Sequence, residues 1–187
     1  MDTPFIIQVE DAVLADLHQR LGNTRWPDSI GKPWAYGTDV RELKSLVDYW
    51  LAAYDWRREE AALNALDHRL ITIRGRETHF IHAKSPHAEA LPLLMTHGWP
   101  GSIVEFQKII PLLTHPELAG GQASEAFHVI CPSIPGYGFS EAPSEPGFDQ
   151  REVANDHIEL MRQLGYERYG LQGGDWGSSI SSWHARL

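Results

Sequence analysis

The chain holds a single cysteine, Cys131, in 187 residues. One thiol cannot build an intramolecular disulfide framework, and the scarcity fits a reducing compartment, so a cytoplasmic location is expected. No apolar run approaches the roughly 18 residues that a membrane-spanning helix needs. The opening Met1-Asp2-Thr3-Pro4 lacks a basic region followed by an apolar stretch, so no signal peptide is read. Positive charge is also short: 16 Lys and Arg stand against 25 Asp and Glu, a formal net charge of −9. Nucleic-acid phosphates would be repelled, which argues against that class of partner. There is no P-loop and no Gly-x-Gly-x-x-Gly after a first strand. The histidines are scattered. His79 and His82, three apart on a predicted strand, face opposite sides and have no cluster of partners at zinc spacing, so no metal and no cofactor are expected. Internal repeats and low-complexity tracts are missing as well.

What is present is a packed-core composition, 42% apolar with seven Trp. Residues 1–66 read as a helical segment. Val9, Val13, Leu17 and Leu21 repeat every four residues, and Gly22 stops that helix. Thr38 or Asp39 can cap a second helix with the stripe Val40, Leu43, Val47, Trp50, Leu51 and Tyr54. A third spans about 58–66. The Pro- and Gly-rich link between the first two is an irregular loop, and Trp26 and Trp34 within it are read as packing residues. From residue 67 the period changes. Strands are expected at 70–73, 78–82, 91–95, 127–131 and 168–173, the first two joined by a tight turn at Gly75-Arg76. Ile103, Phe106, Ile109 and Ile110 mark a helix that Pro111 breaks. Asp149 with Glu152 resembles a capping box for a helix striped by Val153, Leu160 and Leu164, which Gly165 ends. Cys131, beside a strand end, is read as a small buried hydrophobe. The alternation predicts an α/β fold with a mostly parallel sheet and flanking helices over residues 67–187.

Three segments carry chemistry. Gly173-Gly174-Asp175-Trp176-Gly177-Ser178 lies between a strand and a helix, with small residues around Asp175 and Ser178 as a candidate N-cap. This is a nucleophile elbow with aspartate where serine is usual. Aspartate can displace at an alkyl carbon to form an ester, which water then cleaves at the aspartyl carbonyl. His97-Gly98-Trp99-Pro100-Gly101-Ser102 follows the 91–95 strand. A His-Gly loop there places one oxyanion-hole amide and the residue after the nucleophile the other, so the backbone N–H groups of Trp99 and Trp176 are the candidates. His97, Gly98 and Pro100 then shape the loop, with the His97 ring tying it down, and the Trp99-Pro100 bond is a place where a cis peptide is tolerated. The third segment, Pro132-Ser133-Ile134-Pro135-Gly136-Tyr137-Gly138-Phe139-Ser140, has too many Pro and Gly for regular structure and forms a fixed-shape loop.

In this order and spacing the segments resemble the epoxide hydrolases of the α/β-hydrolase superfamily, in the branch related to the microsomal enzyme and its bacterial relatives. Arg25-Trp26-Pro27-Asp28, Trp34-Ala35-Tyr36-Gly37, Asp48-Tyr49-Trp50 and Tyr54-Asp55-Trp56-Arg57 are similar to that branch's N-terminal domain. The resemblance implies attack by Asp175 on a small apolar epoxide, an ester intermediate and a vicinal diol product. The membrane anchor of the microsomal members is not expected here.

The resemblance covers only the N-terminal half of such an enzyme. Twelve residues follow Asp175, and His184 is the one histidine among them. On a helix, nine residues at 1.5 Å each put it about 13 Å along the axis, too far to activate water at Asp175. Nor does any segment match the family's lid, whose tyrosines protonate the leaving alkoxide. Tyr137 and Tyr169 are read as packing residues. The expectation is therefore a partial core, inactive alone, that self-associates or pairs with a missing C-terminal half. Two other readings stay open: a haloalkane-dehalogenase-like hydrolase, although those enzymes usually carry Asn where this chain has Trp99, and a non-catalytic fragment acting by binding or assembly.

Overall fold

A computed structural model describes residues 1–187. The chain divides into two compact units, Ile7–Ala62 and the pair of segments Met1–Ile6 and Leu63–Leu187.

The first unit is helical: α1 (Asp11–Gly22), α2 (Val40–Ala53) and α3 (Trp56–Leu63). Asp39, not Thr38, caps α2, its side chain accepting from the Arg41 N–H at 2.9 Å. The start of α3 is fixed by Glu60, buried one turn in. Its carboxylate accepts from the Val9 N–H, the Trp56 indole and the Arg57 guanidinium at 2.7, 3.0 and 2.7 Å, and those donors satisfy a charge that burial would otherwise make costly. The α1 stripe is rotated from the sequence reading: Leu14, Leu17 and Leu21 are the half-buried positions and Val13 is exposed. On α2, Val47 and Leu51 are half-buried while Leu43 and Trp50 lie exposed. In the α1–α2 loop, Lys44 covers the Trp26 ring, whereas Trp34 is exposed at a positive φ rather than packed.

The second unit is built on six strands: β1 (Thr3–Pro4), β2 (His68–Ile73), β3 (Arg76–Ala83), β4 (Leu91–Thr96), β5 (Phe127–Pro132) and β6 (Gly170–Gly173), in the order β1-β2-β3-β5-β4-β6. The sheet is mixed rather than mostly parallel. Pairings from β1 to β5 are antiparallel, and β4 runs parallel to both its neighbours. Beyond the expected β2–β3 hairpin, the antiparallel share comes from β1 pairing with β2 and β3 with β5. That hairpin turns on Arg74 and Gly75, one residue earlier than expected, both at positive φ as a two-residue turn of the right twist requires. β1 escaped the sequence reading because it is two residues long and half proline. It survives at the sheet edge, where a missing N–H costs little, and Asp2 pairs with Arg69 beside it.

The strands divide the core by alternation. Phe80, Leu94 and Ile130 face α5 (Gln150–Gln163) with Ile71, Ile73, Leu160 and Met161. Their chain neighbours Ile81, Met95, Val129 and Cys131 face the other side with Ile103, Phe106 and Ile110. Consecutive residues on opposite faces are the signature of a strand buried on both. Pro111 does not break a helix. A 3-10 turn covers Ile103–Phe106, and Pro111 sits in the first turn of the short α4 (Ile110–Thr114), where its missing N–H is tolerated. Asp149 caps α5 by accepting from the Arg151 and Glu152 N–H groups, but the Glu152 side chain pairs with Arg74 instead of closing a capping box. Gly165, at φ 82°, ends α5, with the Tyr166 N–H reaching back to the Met161 carbonyl.

Buried histidines thread this unit. The Leu63 carbonyl can only accept, so His68 donates to it through Nε2 at 2.8 Å. His68 Nδ1 then accepts from His79 Nε2 at 2.9 Å, and His79 Nδ1 accepts from the Ser133 hydroxyl at 2.9 Å. Burial lowers the pKa of both rings and so favours this neutral arrangement. Burial lowers His79 and His157 to about 3 and His82 and His184 to about 4. The unfolded chain takes up these protons near pH 6.5 while the folded chain refuses them until pH 3 to 4. Stability is thus complete above neutrality and lost as pH falls through that window, by about 1 kcal/mol per pH unit for each histidine. Urea unfolding midpoints should fall between pH 6.5 and 4; a flat profile there would contradict the neutral-histidine assignment.

Candidate active site

Asp175 stands where β6 gives way to α6 (Trp176–His184), at φ 52° and ψ −123°. For a residue with a Cβ this conformation costs about 1–3 kcal/mol and persists only where the surroundings enforce it. Here close backbone packing does so. A Cβ on Gly173 would lie 2.3 Å from the Gly177 carbonyl, and one on Gly177 would lie 2.1 Å from the Thr96 carbonyl oxygen. Either would push α6 off the end of β6 and β4. The helix begins at Trp176 with Asp175 as its N-cap residue, so Ser178 is inside the first turn rather than capping it, its N–H bonded to the Asp175 carbonyl.

The loop after β4 comes down on the elbow. The Trp99 N–H donates to Asp175 Oδ1 at 2.8 Å. A Cβ on Gly98 would sit 2.7 Å from the Asp175 Cβ and 2.9 Å from Oδ1, so a glycine is needed at that contact. The Trp99 and Trp176 amides together hold the Asp175 carboxyl below the ordinary carboxylate range, Trp99 with the greater effect. The group is exposed and ionised, with one oxygen engaged. The Trp99-Pro100 peptide is cis. The Trp99 and Trp176 side chains are partly exposed; it is the Trp99 backbone N–H that bonds the carboxylate.

His97 is wholly buried behind this loop. Its Nδ1 lies 3.0 Å from the Gly98 carbonyl, and its Nε2 accepts from the Ile134 N–H at 3.1 Å. Burial lowers its pKa. Tyr137 packs edge-on against both the His97 ring and the Trp176 indole, 5.6 and 6.2 Å between centroids. The Pro-Gly loop thereby braces both halves of the elbow region, a link that chain order alone could not reveal. His184 lies at the far end of α6, its Nε2 2.7 Å from the Tyr169 hydroxyl, so it and Tyr169 satisfy each other away from Asp175. His79 and His82 are the ordinary strand residues expected of them, bonded to His68 and Ser133 and to Tyr166. No set of three or more His, Cys, Asp or Glu side chains is placed to hold a metal ion. A groove of about 500 Å³ opens beside Trp176, walled by Ile134, Tyr137, Phe148, Val153 and Trp183.

Residues 2–106 match the family described as the epoxide hydrolase N terminus, and residues 92–187 match the alpha/beta hydrolase fold. The chain belongs to the epoxide hydrolase family. Epoxide hydrolase 1 of Sus scrofa is 45% identical over 98% of this chain, and a Stigmatella aurantiaca sequence is 48% identical over 99% of it. Among solved structures, the juvenile hormone epoxide hydrolase of the silkworm Bombyx mori superposes over the whole chain with a TM-score of 0.87 at 34% identity. The chain spans 42% of the length of each of these two sequence relatives and 50% of the silkworm chain. This member of the family holds an α/β-hydrolase core in part, with an aspartate at its elbow.

Gly98→Ala tests the close approach. The added methyl should drive the loop from Asp175, break the Trp99 bond and speed exchange of the Trp99 amide proton roughly tenfold or more, as for loss of a charged hydrogen bond of about 1.5 kcal/mol. Unchanged exchange in the folded variant would mean the contact is not made in solution.

Proposed function

We propose that Asp175 is the nucleophile of an epoxide hydrolase that opens a small apolar epoxide. A carboxylate oxygen attacks a ring carbon, the carbon–oxygen bond breaks, and an alkyl ester forms on Asp175. Water then adds to the ester carbonyl carbon and releases the vicinal diol. Charge that builds on the carbonyl oxygen during that second step faces the Trp99 and Trp176 amides, a pair of preorganised donors of the kind that stabilises such an oxyanion. The observation that carries this reading is the Trp99 N–H on Asp175 Oδ1 at a strained elbow. The groove beside Trp176, walled mainly by apolar side chains with Asp149 and Gln150 among them, fits a largely apolar substrate.

Two protons must also be handled. The opened epoxide oxygen needs one, and the attacking water must lose one. Asp175 hydrogen-bonds no side chain in these 187 residues, and His184 is engaged with Tyr169. On this reading the acid and the base come from another part of the protein, and an ester formed on this chain alone persists. Pairing with that part, or with a second copy, belongs to the same proposal, as does a cytoplasmic location, supported by the single buried cysteine.

Incubating the chain with styrene oxide, then mapping peptides by mass, should show addition of one intact epoxide at Asp175 and none in Asp175→Asn. A parallel arm with a chloroalkane should stay unlabelled. Labelling confined to other carboxylates would remove Asp175 as nucleophile. Labelling by the chloroalkane alone would shift the reading to halide displacement, and steady diol release would mean that a base is present after all.

A further inference from the structure

The peptide joining Gly98 to Trp99 is trans, the one cis bond in the chain being the next. A trans peptide is planar, and its carbonyl and N–H point in opposite directions. Whatever holds the Gly98 carbonyl therefore sets the direction of the Trp99 N–H. The carbonyl is held by His97 Nδ1 at 3.0 Å, and the N–H meets Asp175 Oδ1 at 2.8 Å.

The directions of these bonds follow from donor arithmetic. A carbonyl oxygen only accepts, so His97 Nδ1 must carry the proton. The Ile134 N–H only donates, so His97 Nε2, 3.1 Å from it, must be bare. The ring is thus a neutral imidazole in one tautomer with both nitrogens used. Its anchor is the loop after β5, since Ile134 lies in the core with 2% of its surface exposed and Tyr137 stacks on the ring's edge. A run of contacts leads from that loop through the imidazole and one peptide plane to the carboxylate.

We propose that the His97 imidazole is a positioning residue: by gripping the Gly98 carbonyl it aims the Trp99 amide at Asp175 Oδ1, the oxygen that becomes the ester carbonyl. Its consequence for catalysis rests on the reading of Asp175 as nucleophile, but the aiming itself does not. The lowered pKa of His97 agrees with the neutral ring, because a second ring proton would confront the Ile134 N–H.

Two substitutions separate the ring's two nitrogens. Asn places its amide near the site of Nδ1 and keeps a donor for the Gly98 carbonyl. Gln reaches the site of Nε2 and keeps an acceptor for the Ile134 N–H. The readout is the Trp99 amide proton shift in nuclear magnetic resonance spectra, and the change in that shift when Asp175→Asn replaces carboxylate by carboxamide, all at neutral pH. With His97 or His97→Asn, the Asp175 substitution should move the Trp99 proton strongly. In His97→Gln that response should be lost, as the cycle's coupling term. A mere packing role predicts equal behaviour of the two variants. A folded His97→Gln that keeps the full response overturns the proposal, and so does a folded His97→Asn that loses it. Should the variants not fold, nitrogen shifts of the wild-type ring decide: protonated Nδ1 with bare Nε2 is expected, and the opposite tautomer overturns the idea. If the tautomer and the cycle hold while styrene oxide leaves Asp175 unlabelled, only the proposed function fails.

Discussion

The site depends on a close approach of two backbones. A peptide N–H can reach the Asp175 carboxylate only because Gly98 has no side chain to strike it, and because Gly173 and Gly177 let α6 start hard against the ends of β6 and β4. Take away any of these clearances and the elbow opens. The strained dihedrals of Asp175 are the visible result of that compression, since a relaxed aspartate would swing its carboxylate away from the Trp99 amide. Much of the second unit can be understood as the frame that sustains this contact. β4 and β6 run parallel side by side, so their C-terminal ends deliver the His-Gly loop and the elbow to the same place.

How much of this could be read from the sequence varies with the range of the interaction concerned. The turn at Asp175 and the arrival of the Trp99 amide beside it were legible because their motifs are local: glycines at fixed offsets from a candidate nucleophile at a strand end. β2 through β5 were legible from alternation and apolar runs, as was the position of Gly165. β1 was not, because two residues carry no period and its pairing is with residues more than sixty positions away. Pro111 was misread because proline has two meanings, helix breaker and first-turn residue, which only the surrounding hydrogen bonds decide. Ser178 lost its capping role for a similar reason: Asp175 itself occupies the turn into the helix. The role of His97 was only partly visible. Its burial could be guessed, but its partner Ile134 lies 37 residues further on, and nothing local ties the two.

The same limit applies to the buried histidines. Singly, His68, His79 and His157 look like strand and helix residues of no special kind. Together with Ser133 and Leu63, the first two form a chain of hydrogen bonds with one direction, in which each ring's proton is fixed by its neighbour. His157 is different. It is buried with neither ring nitrogen bonded, and the adjacent His184 leaves Nδ1 unbonded too. A fold that carries several neutral imidazoles in its interior has tied its integrity to the ambient proton concentration, independently of anything that happens at Asp175.

Cys131 gives the site a chemical setting of its own. It is the penultimate residue of β5 with no exposed surface, and burial pushes its thiol well above the usual range. Thiolates are the nucleophiles that strained electrophiles ordinarily find first in a protein. This chain withholds its one thiol from solvent and keeps it protonated, while it presents an ionised carboxylate in the open. Within this chain, an alkylating agent in solution meets the Asp175 carboxylate at the surface and not the Cys131 thiol.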